Sequence, residues 1–106
     1  MLTNISVKKL FTGELWLEEV VITLEKGLIK NISKEGYDAT TSIAVVIPAL
    51  IDLQIYGAAN KLLSEFPEAD TIEKIYQYCL AGGAAYFQPT IASQTNEVIK
   101  KAIDAV

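Results

Sequence analysis

Val45-Val46-Ile47-Pro48-Ala49-Leu50-Ile51-Asp52-Leu53-Gln54-Ile55 is a nearly continuous apolar run in which polar side chains appear only late. Runs of this kind suit parallel strands buried on both faces, because a strand covered on one face alternates apolar with polar residues. The residues after Ile55 fix the class. Ile72, Ile75, Tyr76, Cys79 and Leu80 recur at helical spacing, with Asp70 placed to cap the helix and Glu73 three residues on. Gly82-Gly83 ends that helix, and Ala84-Ala85-Tyr86-Phe87-Gln88 reads as a second short strand. Thr95 or Asn96 then starts a second helix with Val98, Ile99, Ala102, Ile103 and Val106 on its apolar side. Strand, helix, strand, helix makes two consecutive βα units of a parallel α/β architecture.

Upstream the period is different. Ile5 to Leu10 has a β-like mixture, followed by a turn at Thr12-Gly13-Glu14. Val20-Val21-Ile22-Thr23-Leu24 and Leu28-Ile29-Lys30-Asn31-Ile32-Ser33 flank Glu25-Lys26-Gly27, a loop whose glycine can take the positive φ of a hairpin. This is a β-meander of about three strands. Small polar residues from Gly36 to Ser42 mark a connection, so the expected domains are 1–44 and 45–106. Two βα units cannot close a barrel of eight, which predicts a piece of a longer protein.

Composition removes several function classes. The 106 residues carry a net charge of −4 with scattered lysines, which argues against a nucleic-acid partner. No apolar run is long enough to span a bilayer and no signal-peptide pattern opens the chain, so the expected location is cytoplasmic. Cys79 is the only cysteine and falls in the helical pattern, where it reads as a small core residue. The chain has no histidine, so it contains neither a Ser-His-Asp triad nor a histidine metal site.

In a barrel the chemistry sits at the carboxyl ends of the strands. Two places qualify: Asp52-Leu53-Gln54-Ile55-Tyr56-Gly57, and Gln88-Pro89-Thr90. Alternation puts Asp52, Gln54 and Tyr56 on one face, a row of carboxylate, amide and phenol. A carboxylate can bind a metal or move a proton, an amide can bond a substrate, and a phenol can orient a sugar oxygen. Local hydrogen bonding at the strand end is the competing reading, and for Thr90 the competitor is a turn or cap residue. Tyr76, Tyr78, Tyr86 and Phe87 read as helix–sheet packing, with sugar stacking the alternative.

Ile47-Pro48-Ala49-Leu50-Ile51-Asp52-Leu53-Gln54-Ile55-Tyr56-Gly57 resembles the segment by which amidohydrolases enter their barrel, commonly Pro-Gly-Phe-Ile-Asp and then His-x-His. Gln54 stands at the first histidine position, a mark of the N-acetylglucosamine-6-phosphate deacetylases, whose pattern is Asp-x-Gln-x-Asn-Gly. Leu80-Ala81-Gly82-Gly83-Ala84-Ala85-Tyr86-Phe87-Gln88-Pro89-Thr90 is similar to the Gly-x-Thr-x-Phe-x-Pro-Thr segment of the same family. Ala49, Tyr56 and Ala58-Ala59 depart from the family's glycine, asparagine and glycine-rich loop.

The resemblance covers the whole chain and corresponds to about the first quarter of a family member. It implies an α/β fold: an N-terminal β-meander, part of a small β-sandwich, then the first two βα units of a TIM-type (β/α)8 barrel left incomplete. The implied reaction is hydrolysis of N-acetylglucosamine 6-phosphate to glucosamine 6-phosphate and acetate, with a divalent metal, zinc or similar, in the full-length parent. Its metal-binding and proton-transfer residues come from later strands, so this chain alone is expected to be inactive and to bind no metal. Asp52, Gln54, Tyr56, Gly57 and Thr90 are the expected mouth of the site, and Gln54 stands where relatives place a metal ligand. The expected partners are a small-molecule amino-sugar phosphate, no nucleic acid, no membrane, and further copies of the chain through exposed edges. Two alternatives stand beside this: a non-enzymatic self-associating module, and an amidohydrolase acting on another amide such as a cyclic ureide or an amino-acid derivative.

Overall fold

The computed structural model describes residues 1–106, which divide into two compact units, Met1–Pro48 and Ala49–Val106. The first is a mixed four-stranded sheet. Strands β1 (Leu2–Phe11), β2 (Trp16–Glu25), β3 (Leu28–Ser33) and β4 (Ile43–Val46) lie in the order β3-β2-β1-β4. The meander β1-β2-β3 is antiparallel as the sequence predicts, and β4 is added parallel to β1. Val7, Leu10, Val20 and Ile22 form its core, with Ile5, Leu17, Leu24, Ile32 and Val46 packed against them.

Local chemistry sets the connections. Thr12 Oγ1 accepts from the Leu15 amide at 3.1 Å and tightens the β1–β2 turn. Lys26 at φ 52° and Gly27 at φ 79° make a two-residue hairpin of the primed type, whose twist matches that of the strands it joins. Asp38 organises the connection to β4, accepting from the Thr40 amide at 2.9 Å and from both the Thr40 and Thr41 hydroxyls. These bonds hold its carboxyl below the usual carboxylate range.

The boundary falls later than the sequence reading places it. Val45 and Val46 pair with Lys9 and Leu10 inside the first unit instead of opening the second. Pro48 has no amide hydrogen to give a ladder, so one apolar run becomes two strands that join different sheets.

In the second unit, β5 (Leu50–Ile55) leads into a small hairpin of β6 (Gly57–Ala58) and β7 (Lys61–Leu62). Helix α1 (Ala69–Ala81), strand β8 (Ala84–Pro89) and helix α2 (Asn96–Ala105) follow. β5 and β8 run parallel with α1 between them in sequence, a βαβ unit. Its core is Ile55, Ile75, Cys79 and Ala84, flanked by Ala58 and Phe87.

Three details depart from the sequence reading. The β5 run is not covered on both faces: Ile51 is 61% and Leu53 71% exposed, so these alternate positions have no layer packed over them. Glu68, not Asp70, is the N-cap of α1, with extended backbone and no side-chain cap bond; Asp70 lies within the first turn, its carboxylate paired with Lys61 and Lys74. Tyr78 and Tyr86 point to solvent, whereas Tyr76 packs near Phe87 with ring centroids 6.4 Å apart. The C-terminal stop is as expected: Gly83, at φ 88°, follows the Gly82 cap and its amide returns to the Leu80 carbonyl at 3.0 Å. Thr95 caps α2 by accepting from the Val98 amide.

Candidate functional site

The row at the end of β5 is brought together by hydrogen bonds. The Gln54 backbone amide donates to Asp52 Oδ1 at 3.0 Å, and Gln54 Nε2 donates to the Tyr56 phenol oxygen at 2.7 Å. Asp52 is half-buried while Gln54 and Tyr56 are exposed. The Asp52 carboxylate is thus partly engaged in holding its own strand, and the outward chemistry falls to the amide and the phenol.

Gly57 closes the row for a steric reason. A Cβ there would stand 2.0 Å from the Lys61 carbonyl oxygen, so the β6–β7 hairpin folds back only because residue 57 has no side chain. Ala59 at φ 52° and Asn60 at φ 62° supply the two left-handed positions of that turn, one at an alanine that disfavours it. The hairpin continues the strand end, with the Leu63 amide donating to the Tyr56 carbonyl at 2.9 Å.

Thr90 is held beside this strand end but does not join the row. Its backbone amide donates to the Ile55 carbonyl at 2.8 Å, and its hydroxyl donates to the Gln88 carbonyl at 3.1 Å. The hydroxyl is therefore spent in its own turn.

Lys61 was not singled out by the sequence, although its position in a loop beside a helix start is where such a residue can bridge. Its Nζ lies 2.6 Å from Glu68 Oε1 and 2.7 Å from Asp70 Oδ2, and 5.3 Å from the centre of the Phe66 ring. Lys74 also pairs with Asp70. Hydrogen bonds from Lys61, then from Lys74, pull the Asp70 carboxyl down to about 2, and the Asp70 and Glu68 carboxylates push the Lys61 ammonium up. This network anchors the hairpin to the start of α1.

A hollow of 740 Å³ is lined by Leu50, Ile51, Leu53, Tyr78, Cys79 and other small residues, with Asp52 its one charged group. Neither Gln54 nor Tyr56 lines it, so it is an apolar flank of the βαβ unit and not the polar row. Burial, and then the Asp52 charge, push the Cys79 thiol up, which makes it a poor nucleophile.

The donor set does not fit a divalent ion. No three histidine, cysteine, aspartate or glutamate side chains converge. Gln54 and Tyr56 bond one another and offer an amide and a phenol, both weak metal ligands.

The fold and site define an α/β chain with a mixed sheet, a βαβ unit and a polar strand end. No protein-family model matches it. Its architecture is similar to that of the crystal structure of N-acetylglucosamine-6-phosphate deacetylase from Pasteurella multocida, with a TM-score of 0.81 and 18% sequence identity. The likeness takes in 99% of this chain and 29% of that one, so the chain spans less than a third of the deacetylase's length. No helix is long and apolar enough to cross a membrane.

Proposed function

We propose that these residues are the N-terminal part of a metal-dependent sugar amide hydrolase converting N-acetylglucosamine 6-phosphate to glucosamine 6-phosphate and acetate. The observation that carries the reading is Gln54 at the end of β5, with the family's motif around it, in a chain similar over its length to such a deacetylase. In this reading the first unit belongs to a composite β-sandwich, and β5-α1 and β8-α2 are the first two βα units of a (β/α)8 barrel. The unpaired edge of β5 supports it, since the first strand of a closing barrel must leave an edge for the last.

A divalent metal in such an enzyme polarises the amide carbonyl and activates water. Its ligands and the proton-transfer carboxylate are assigned outside these 106 residues, because the groups present do not suit them. Asp52, Gln54, Tyr56 and Gly57 form the substrate side of the mouth, with Thr90 supporting it through its backbone. The protein is cytoplasmic in this reading, and the 106-residue chain alone is inactive. Acetate release from N-acetylglucosamine 6-phosphate, measured for this chain and for a longer protein that includes it, tests the proposal. Turnover by the short chain, or none by the long one with metal supplied, would refute it.

The exposed apolar residues of β5 favour a second reading, a self-associating module joined through strand edges. Light scattering decides that one: a monomer at all concentrations rules it out.

A further inference from the structure

The Gln54–Tyr56 pair has hydrogen-bonding capacity left over. One carboxamide hydrogen of Gln54 is spent on the phenol oxygen at 2.7 Å, leaving Oε1 and the second N–H free. The Tyr56 oxygen accepts in that bond, so its own hydrogen is free to donate outward. The Gln54 backbone amide is already satisfied by Asp52. The solvent-facing set is a donor, an acceptor and a donor with no net charge. Such a set complements a secondary amide or a hydroxyl, whereas to a divalent cation its single free acceptor is a weak ligand. Gln54 is exposed, so without its partner the carboxamide would rotate freely and any ligand would have to order it.

We propose that Tyr56 is a positioning residue that holds the Gln54 carboxamide, so that the couple presents neutral hydrogen-bonding groups to the uncharged acetamido group of a sugar, in place of a metal ligand. The proposal deepens the deacetylase reading and rests on it for the choice of ligand. Tyr56→Phe keeps the ring and removes the oxygen, so the strand end should survive it.

The test is side-chain amide NMR of the 106-residue chain. Without ligand, the Gln54 Nε2 protons should exchange with water several times more slowly in the wild type than in Tyr56→Phe. N-acetylglucosamine, as the neutral probe, should shift the Gln54 side-chain resonances, with binding about fivefold weaker in Tyr56→Phe, the loss of one neutral hydrogen bond. Zinc chloride should leave those resonances unmoved. Equal exchange in the two proteins, probe binding that is absent or indifferent to the substitution, or a direct zinc shift at Gln54 would each overturn the proposal. No arm needs turnover. Failure of the deacetylase assay therefore reports on the functional reading separately from the exchange and zinc results.

Discussion

Lys61 Nζ lies 2.7 Å from Asp70 Oδ2 and joins the hairpin after β5 to the first turn of α1. Asp70 thus serves two structures at once: it complements the positive end of the helix and fixes a lysine nine residues back. Its carboxyl is held at about 2 against an ordinary 3.8. A depressed carboxyl stabilises the fold above the unfolded value, and that contribution disappears as pH falls from 3.8 through about 2. Thermal unfolding of the wild type and Asp70→Asn should differ at about pH 6 and converge near pH 2. The pair is exposed to solvent, so the difference should also shrink in high salt.

Ile75 and Tyr86 separate packing from surface. Ile75 is fully buried in the second core with Ile55 of β5 and Ala84 of β8, whereas Tyr86 is 70% exposed. Ile75→Ala should cost about 2–5 kcal/mol, the transfer loss plus a cavity. Tyr86→Ala should stay within about 0.5 kcal/mol, as for other surface changes without special contacts. Urea denaturation followed by circular dichroism measures both.

The helices and the meander were legible because period is a local property. Ile75 and Cys79 are buried as their spacing predicts, Gly27 takes the positive φ expected of it, and Gly82-Gly83 ends α1. The fate of Val45 and Val46 was not legible, because pairing with β1 depends on a partner distant in sequence. The Asp52-Gln54-Tyr56 row could be read from alternation, but not that Asp52 would turn back to the Gln54 amide. Lys61 was invisible for the same reason as Asp70's role: an ion pair across a hairpin has no sequence period.

Cys79 should behave as core and not as a reagent. Only 3% of it is exposed, and burial with the nearby Asp52 charge raises its thiol, so little thiolate exists near neutrality. Labelling by a maleimide at about pH 7.5 should be at least tenfold slower, to order of magnitude, in the folded chain than in guanidinium. Asp52→Asn removes the smaller of the two causes and should shift the pH dependence of labelling slightly downward.

Gly57 and Ala59 sit two residues apart in one hairpin and should respond oppositely to exchange of their residue types. A methyl at position 57 would meet the Lys61 carbonyl at 2.0 Å, and backbone cannot yield as a flexible side chain does. Gly57→Ala should therefore cost about 1–3 kcal/mol, the range for forced overpacking. Ala59 already holds φ 52°, a conformation that costs an L-residue about 1–2 kcal/mol and glycine almost nothing. Ala59→Gly gives back part of that gain through the greater freedom of glycine in the unfolded chain. The net expectation is a stabilisation of about 0.5 kcal/mol or more. Opposite shifts in the urea midpoint, with equal slopes, would locate both effects in this turn.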